Sequence, residues 1–197
     1  MTPDFGAFLR LFGETMRDPA ATGRQISMLR WPHQIGWMGL GAITALTVIA
    51  VHLVVMTSGT TEATAALGSR PFADTVLLGA LNVLFIFVLY YAGRAMGGTG
   101  SFGGTLLVMT WFQAVVLTLV VIQLIAALIA APMAGLVALV AMGLQIWCLM
   151  HFLNELHGFE NLFKALGLFA FSVFGLAVGL SFILLLVGGA AMVGVSG

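Results

Sequence analysis

The sequence predicts an all-helical integral membrane protein. Five transmembrane helices follow an amphipathic interfacial helix, with the N-terminus cytoplasmic and the C-terminus outside. Three observations carry this expectation. Hydrophobic residues make up 61% of the 197 positions and charged residues 7%, against about 25% charged in a soluble domain; the mean hydropathy is +1.13. Five apolar runs each reach the about 20 residues that a helix needs to cross a bilayer. Lysine and arginine fall unequally on the two sides that these runs define.

The first element is the segment "DFGAFLRLFGETMRD". Phe5, Phe8, Leu9, Phe12 and Met16 recur at helical spacing, and Arg10, Glu14 and Arg17 fall mostly elsewhere on the wheel. Such a helix lies in the interface and is too short to cross. "RDPAATGRQ" breaks it and restarts a helix, with Asp18 as the cap and Pro19 at an early helical position. Residues 1–34 thus form a cytoplasmic amphipathic segment ahead of a membrane domain over 35–197. The first apolar run begins at Ile35, after Arg10, Arg17, Arg24 and Arg30. That is too late for a cleavable signal peptide, so the run is expected to stay as a span.

The spans are read at 35–56, 73–92, 104–131, 133–153 and 163–189. Without a break, the run from Thr105 to Leu153 would be about twice the length of a span. Pro132 supplies the break, because proline removes a backbone donor and suits the first turn of a new helix. With five spans, Arg10, Arg17, Arg24, Arg30, Arg94 and Lys164 share one side and Arg70 takes the other. That bias places the N-terminus in the cytoplasm.

"GRAMGGTGSFGG", from Gly93 to Gly104, contains the string G-x-G-x-x-G from Gly98 to Gly103. One register over it is a phosphate loop with Gly104 in place of the lysine. A dinucleotide loop needs a strand before it and an acidic residue about 20 residues on. Here an apolar span precedes it and another follows, so it reads as a short hairpin whose glycines allow positive φ and close helix approach. Neither a nucleotide nor a cofactor is expected. The net charge of zero gives no basic face for nucleic acid, and the single Cys148 forms no disulfide framework.

Polar residues in the spans are few. His52 and Asp74 stand near the outer ends of spans one and two, positioned to pair. Asn82, Gln113, Gln123 and Gln145 lie deeper and are read as helix-packing amides. No charged residue occupies the middle of a span, which disfavours ion-coupled carriage. The densest polar cluster is "HFLNELHGFENLFK". His151 and Glu155 are four apart on one face, with His157 beyond. The set lacks the fixed H-E-x-x-H order of a metal helix, so no metal is assigned. Glu155 is expected to pair with Arg94 across adjoining loops, with Asp18 and Glu14 as other partners for that arginine. Trp31, Trp37, Tyr90 and Tyr91 take belt positions. Trp147 is expected to pack inside the bundle. Gly175 and Gly179 form a small-residue face, read first as internal packing and second as a dimer face.

These features together resemble the Yip family, the Ypt-interacting-protein type, over nearly the whole chain. The resemblance rests on "RDPAATGRQI" ending the amphipathic segment and on "GGTGSFGGTLLVMTWFQAVV" entering the third span. "ELHGFENLFKAL", with Lys164-Ala165, resembles the family's connection into the last span. The family's usual proline within the third span has no counterpart near Phe112 or Gln113. The resemblance implies five helices, a cytoplasmic N-terminus and an outside C-terminus. Eukaryotic members are linked to Rab-type GTPases and vesicle traffic. This chain lacks their long polar N-terminal region and looks like a bacterial member in the inner membrane, so GTPase binding is not carried over.

The reading is therefore of a non-enzymatic membrane protein that organises or partners other membrane components. Phe8, Arg10 and Phe12 are the candidates for membrane-surface contact, and Arg94, His151, Glu155 and Lys164 for contacts at the cytoplasmic face. The expected partners are the lipid bilayer and a membrane protein or a second copy. The rival reading is a small transporter or channel for a neutral or lipidic solute, which needs a polar lane past Gln113, Gln123 or Gln145.

Overall fold

The computed structural model describes residues 5–29, 31–58 and 71–194. Arg30 and Arg70, which enter the charge count, lie outside the described residues. Seven helices make up the described fold: α1 (Phe5–Arg17), α2 (Pro19–Ser27), α3 (His33–Ser58), α4 (Pro71–Ala95), α5 (Phe102–Ile129), α6 (Ala131–His157) and α7 (Leu162–Gly194). The last five each contain a stretch long and apolar enough to cross a membrane.

The helices end where the backbone turns, a few residues beyond where hydropathy fades. α4 continues past Ala92 to Ala95 and stops ahead of Gly97, whose φ is +87°. α6 continues past Leu153 to His157 and stops at Gly158, φ +62°. The break between α5 and α6 falls at Ala130, which is extended, and Pro132 sits in the first turn of α6. Asp18 caps α2 as expected, its Oδ1 accepting from Ala21 N at 2.9 Å. α5 runs unbroken where the family's usual proline would fall.

α5 is the central helix, packed against α2, α3, α4 and α6, while α7 packs against α4 and α6. The main core lies in the half of the bundle next to α2. Ile86, Leu89, Leu106, Met109, Phe152 and Leu168 there are no more than 2% exposed. The far half holds a small cluster of Ala50, Val54 and Val120. α1 and α2 fold back onto this bundle. Phe12 and Met16 pack on Val115, Leu119 and Ala141, and Phe5 and Leu9 stay exposed.

Two sequence expectations are corrected. Trp147 is on the outer surface of α6, 38% exposed, with its ring against His151. An alternation of apolar residues on all faces of α6 gives no sign of which face turns inward. Gly175 and Gly179 also face outward, and a β-carbon at either would meet nothing within 4 Å. Their spacing is not used for packing among the described residues.

Candidate functional site

α2, the hairpin between α4 and α5, and the turn between α6 and α7 meet at one end of the bundle. The hairpin is built from the backbone outward. Gly98 N donates to Gly93 O at 2.8 Å and Gly97 N donates to Arg94 O at 3.0 Å. With Gly97 left-handed, this is the Schellman close of a helix. α6 ends the same way, with Gly158 left-handed and Phe159 N donating to Asn154 O at 3.1 Å. Thr99 N donates to His157 O at 3.0 Å and ties the two ends together. Ser101 then caps α5, its Oγ accepting from Gly104 N at 3.1 Å.

Three of the hairpin glycines are accounted for by His157, while Gly103 faces His33. Its imidazole is 1% exposed and lies among Gly93, Gly98 and Gly100. A β-carbon would come within 2.6 Å of the ring at Gly98 and 2.9 Å at Gly100, and at Gly93 it would overlap the ring outright. Phe159 stacks on the same imidazole with centroids 5.3 Å apart. The spacing of these glycines therefore follows the outline of a buried side chain from another helix.

The charged residues around this joint pair differently from the sequence expectation. Glu155 pairs with Arg24, not Arg94: Glu155 Oε2 accepts from Arg24 Nε at 2.9 Å and lies 2.8 Å from Nη2. The reason is that α2 lies along α6 and brings Arg24 to that face, a contact separated by 131 positions in the chain. Arg94 lies over the Tyr90 ring at 5.9 Å and Lys164 over Phe159 at 6.0 Å. His151 Nδ1 donates to Trp147 O at 2.8 Å, within its own helix. His151, Glu155 and His157 thus turn to three different partners. Among the described residues no group of three His, Cys, Asp or Glu is arranged to hold a metal ion.

The N-terminal candidates take two kinds of place. Phe8 is half-buried, edge-on to Trp111 at 5.6 Å, and Phe12 is half-buried over α5 and α6. Arg10 is exposed. Sequence reasoning missed the bond that anchors this segment. Trp111 Nε1 donates to Thr15 Oγ1 at 3.0 Å, and Thr15 Oγ1 donates to Leu11 O at 2.8 Å. Thr15 is fully buried, and its place beside Met16 on the apolar stripe was the available signal.

Deeper polar residues are drawn together in pairs. Gln113 Nε2 donates to Asn82 Oδ1 across α4 and α5. Such amide pairs are the ordinary polar glue of membrane helices. At the far end, His52 Nε2 and Asp74 Oδ2 are 3.4 Å apart, so the pairing expected from the sequence is present.

A family model described as Yip1 domain matches residues 13–185. The match runs from within α1 into α7 and includes every element of this joint. Neither a curated protein nor a solved structure matches the chain.

Proposed function

The chain belongs to the Yip1 domain family, and from that premise we propose that it organises or partners other membrane components without catalysing a reaction. The contact surface is the joint formed by α2, the glycine hairpin and the α6–α7 turn, with the folded-back α1 beside it. The observation that carries this reading is the packing beneath that surface. The half of the bundle under the joint holds a continuous apolar core, and the half-buried mid-span amides Asn82 and Gln113 bond to each other. A transport lane would turn those amides to a solute; a scaffold ties one to the other.

Over this core the surface mixes charge with exposed apolar side chains. Arg94, Glu155 and Lys164 share this end of the bundle with Met28, Trp31 and Phe163, which are 70%, 55% and 82% exposed. Arg10 and the exposed Phe5 and Leu9 extend it toward the bilayer surface, and Phe8 and Phe12 hold α1 in place. The charge bias assigns this end to the cytoplasm. We read the membrane as a bacterial inner membrane. The outward Gly175 and Gly179 suit close approach of a second copy.

The test is mass spectrometry of what co-purifies with the tagged protein in native lipid discs, alongside an Arg94→Glu, Lys164→Glu variant. A protein recovered near one-to-one with wild type and lost from the variant is the expected result. Retention of a defined small molecule, with no protein, would move the assignment to the transport reading.

A further inference from the structure

The far half of the bundle holds a polar contact that the proposed scaffold role does not use. His52, on α3, and Asp74, in the first turn of α4, bring Nε2 and Oδ2 to 3.4 Å. Both atoms are shut off from solvent, and neither makes a hydrogen bond among the described residues. Beside them is a cavity of about 240 Å³ walled by Val48, Val51, Val55, Leu77 and Leu78. Those aliphatic walls offer a water no polar partner of their own.

The other ring nitrogen fixes the proton count. His52 Nδ1 lies 2.7 Å from Val48 O. A carbonyl can only accept, so Nδ1 carries a hydrogen. Nε2 therefore presents either a lone pair or a second hydrogen to the carboxyl group. With no proton between them, a lone pair faces a carboxylate in a site of low polarity, and the contact repels. With one proton, the pair is either imidazolium and carboxylate or imidazole and carboxylic acid. Both forms attract, and both have zero net charge.

We propose that His52 and Asp74 form a binding site for one proton, which latches α3 to α4 at the end remote from the glycine hairpin and the α6–α7 turn. Loss of that proton to solvent leaves the pair with one negative charge, releases the contact and opens the apolar cavity. No other group competes for the role among the described residues of the five long helices. α5 carries no charged or titratable side chain. The titratable groups of α6 and α7 are Cys148, His151, Glu155, His157 and Lys164, which lie in the core half or at the joint. On α3 and α4, His33, Tyr90, Tyr91 and Arg94 are likewise at the joint end.

The test uses spin labels on Leu53→Cys and Val76→Cys, both on exposed positions, with Cys148→Ala as background and the full chain in lipid discs. Electron–electron distances are read across an acid-to-alkaline series. The expected result is a shift to longer distances at high pH with His52 and Asp74 intact. D74N should hold the short distance throughout, because an asparagine amide donates its N–H to a neutral Nε2 and accepts through its oxygen from a protonated one. D74A should give the long distance throughout. A distance independent of pH in the otherwise native protein would overturn the proposal. So would a D74N protein that shifts in parallel with it, and this variant keeps the test decisive if D74A does not fold.

Discussion

The two halves of the bundle are held together by different means. In the half under α2, elements meet through backbone bonds, closely fitted glycines and a continuous core from Ile86 to Leu168. In the far half, the apolar cluster is three small or β-branched residues, Ala50, Val54 and Val120, and the cross-helix tie is His52–Asp74. Apolar residues there, such as Leu128, Ile129 and Leu136, face outward at 66–72% exposure, which suits lipid contact. Backbone bonds and apolar packing carry no proton that solvent could remove, whereas an imidazole–carboxyl contact does. Under the proton-latch proposal, the first half stays fixed and the far half is the one that adjusts.

The sharpest way to break this contrast is to unseat His157. Gly93→Ala places a methyl group where the imidazole lies. Overpacking a fitted core costs about 1–3 kcal/mol, and the upper end applies because the ring is buried and held between Phe159 and the hairpin. Thermal unfolding in detergent should show the loss. Adding His157→Ala makes room for the methyl group and should return part of the stability, a coupling that independent sites do not show. Simple additivity of the two changes would mean that the glycines are not there for the ring.

Trp111→Phe tests the attachment of α1 with a smaller effect. It keeps most of the ring that packs on Phe8 and removes the indole N–H that Thr15 accepts. The bond is worth about 1 kcal/mol. Global unfolding should change little, while hydrogen exchange across residues 5–17 should quicken several-fold. Unchanged exchange there would mean that Phe12 and Met16 hold α1 unaided.

How much of this was legible follows from the range of each contact. The spans were legible because bilayer thickness fixes their length, and the Asp18 cap and Pro132 break because both act locally. His52 and Asp74 were legible as a pair because their helices adjoin and their depths match. The Arg24–Glu155 pair was not, since nothing in the pattern of α2 says which long helix it lies along. The same limit hid the glycine cradle. The string Gly93–Gly104 announces a turn with close approach, but the identity of the intruding side chain depends on where α6 ends. That end is set by Gly158, five residues beyond the last residue of the apolar run that defined the span.

Arg24–Glu155 gives the finest test of the comparison, because it is a charge contact in the half otherwise fixed by packing. Arg24 is 62% exposed and Glu155 18%, so solvent screens the attraction. Exposed pairs of this kind contribute about 0–1 kcal/mol. Glu155→Gln keeps the side-chain shape and a hydrogen-bond acceptor while removing the charge. It should lower the unfolding midpoint slightly at low salt and not at all near 1 M salt, where screening acts over about 3 Å. A large loss at both salt concentrations would mean that the pair carries the docking of α2. The joint would then depend on electrostatics as the far half does. A small, salt-sensitive loss leaves the docking to Ile26 and the core beneath it, which places the pair's value in orienting the surface that a partner meets.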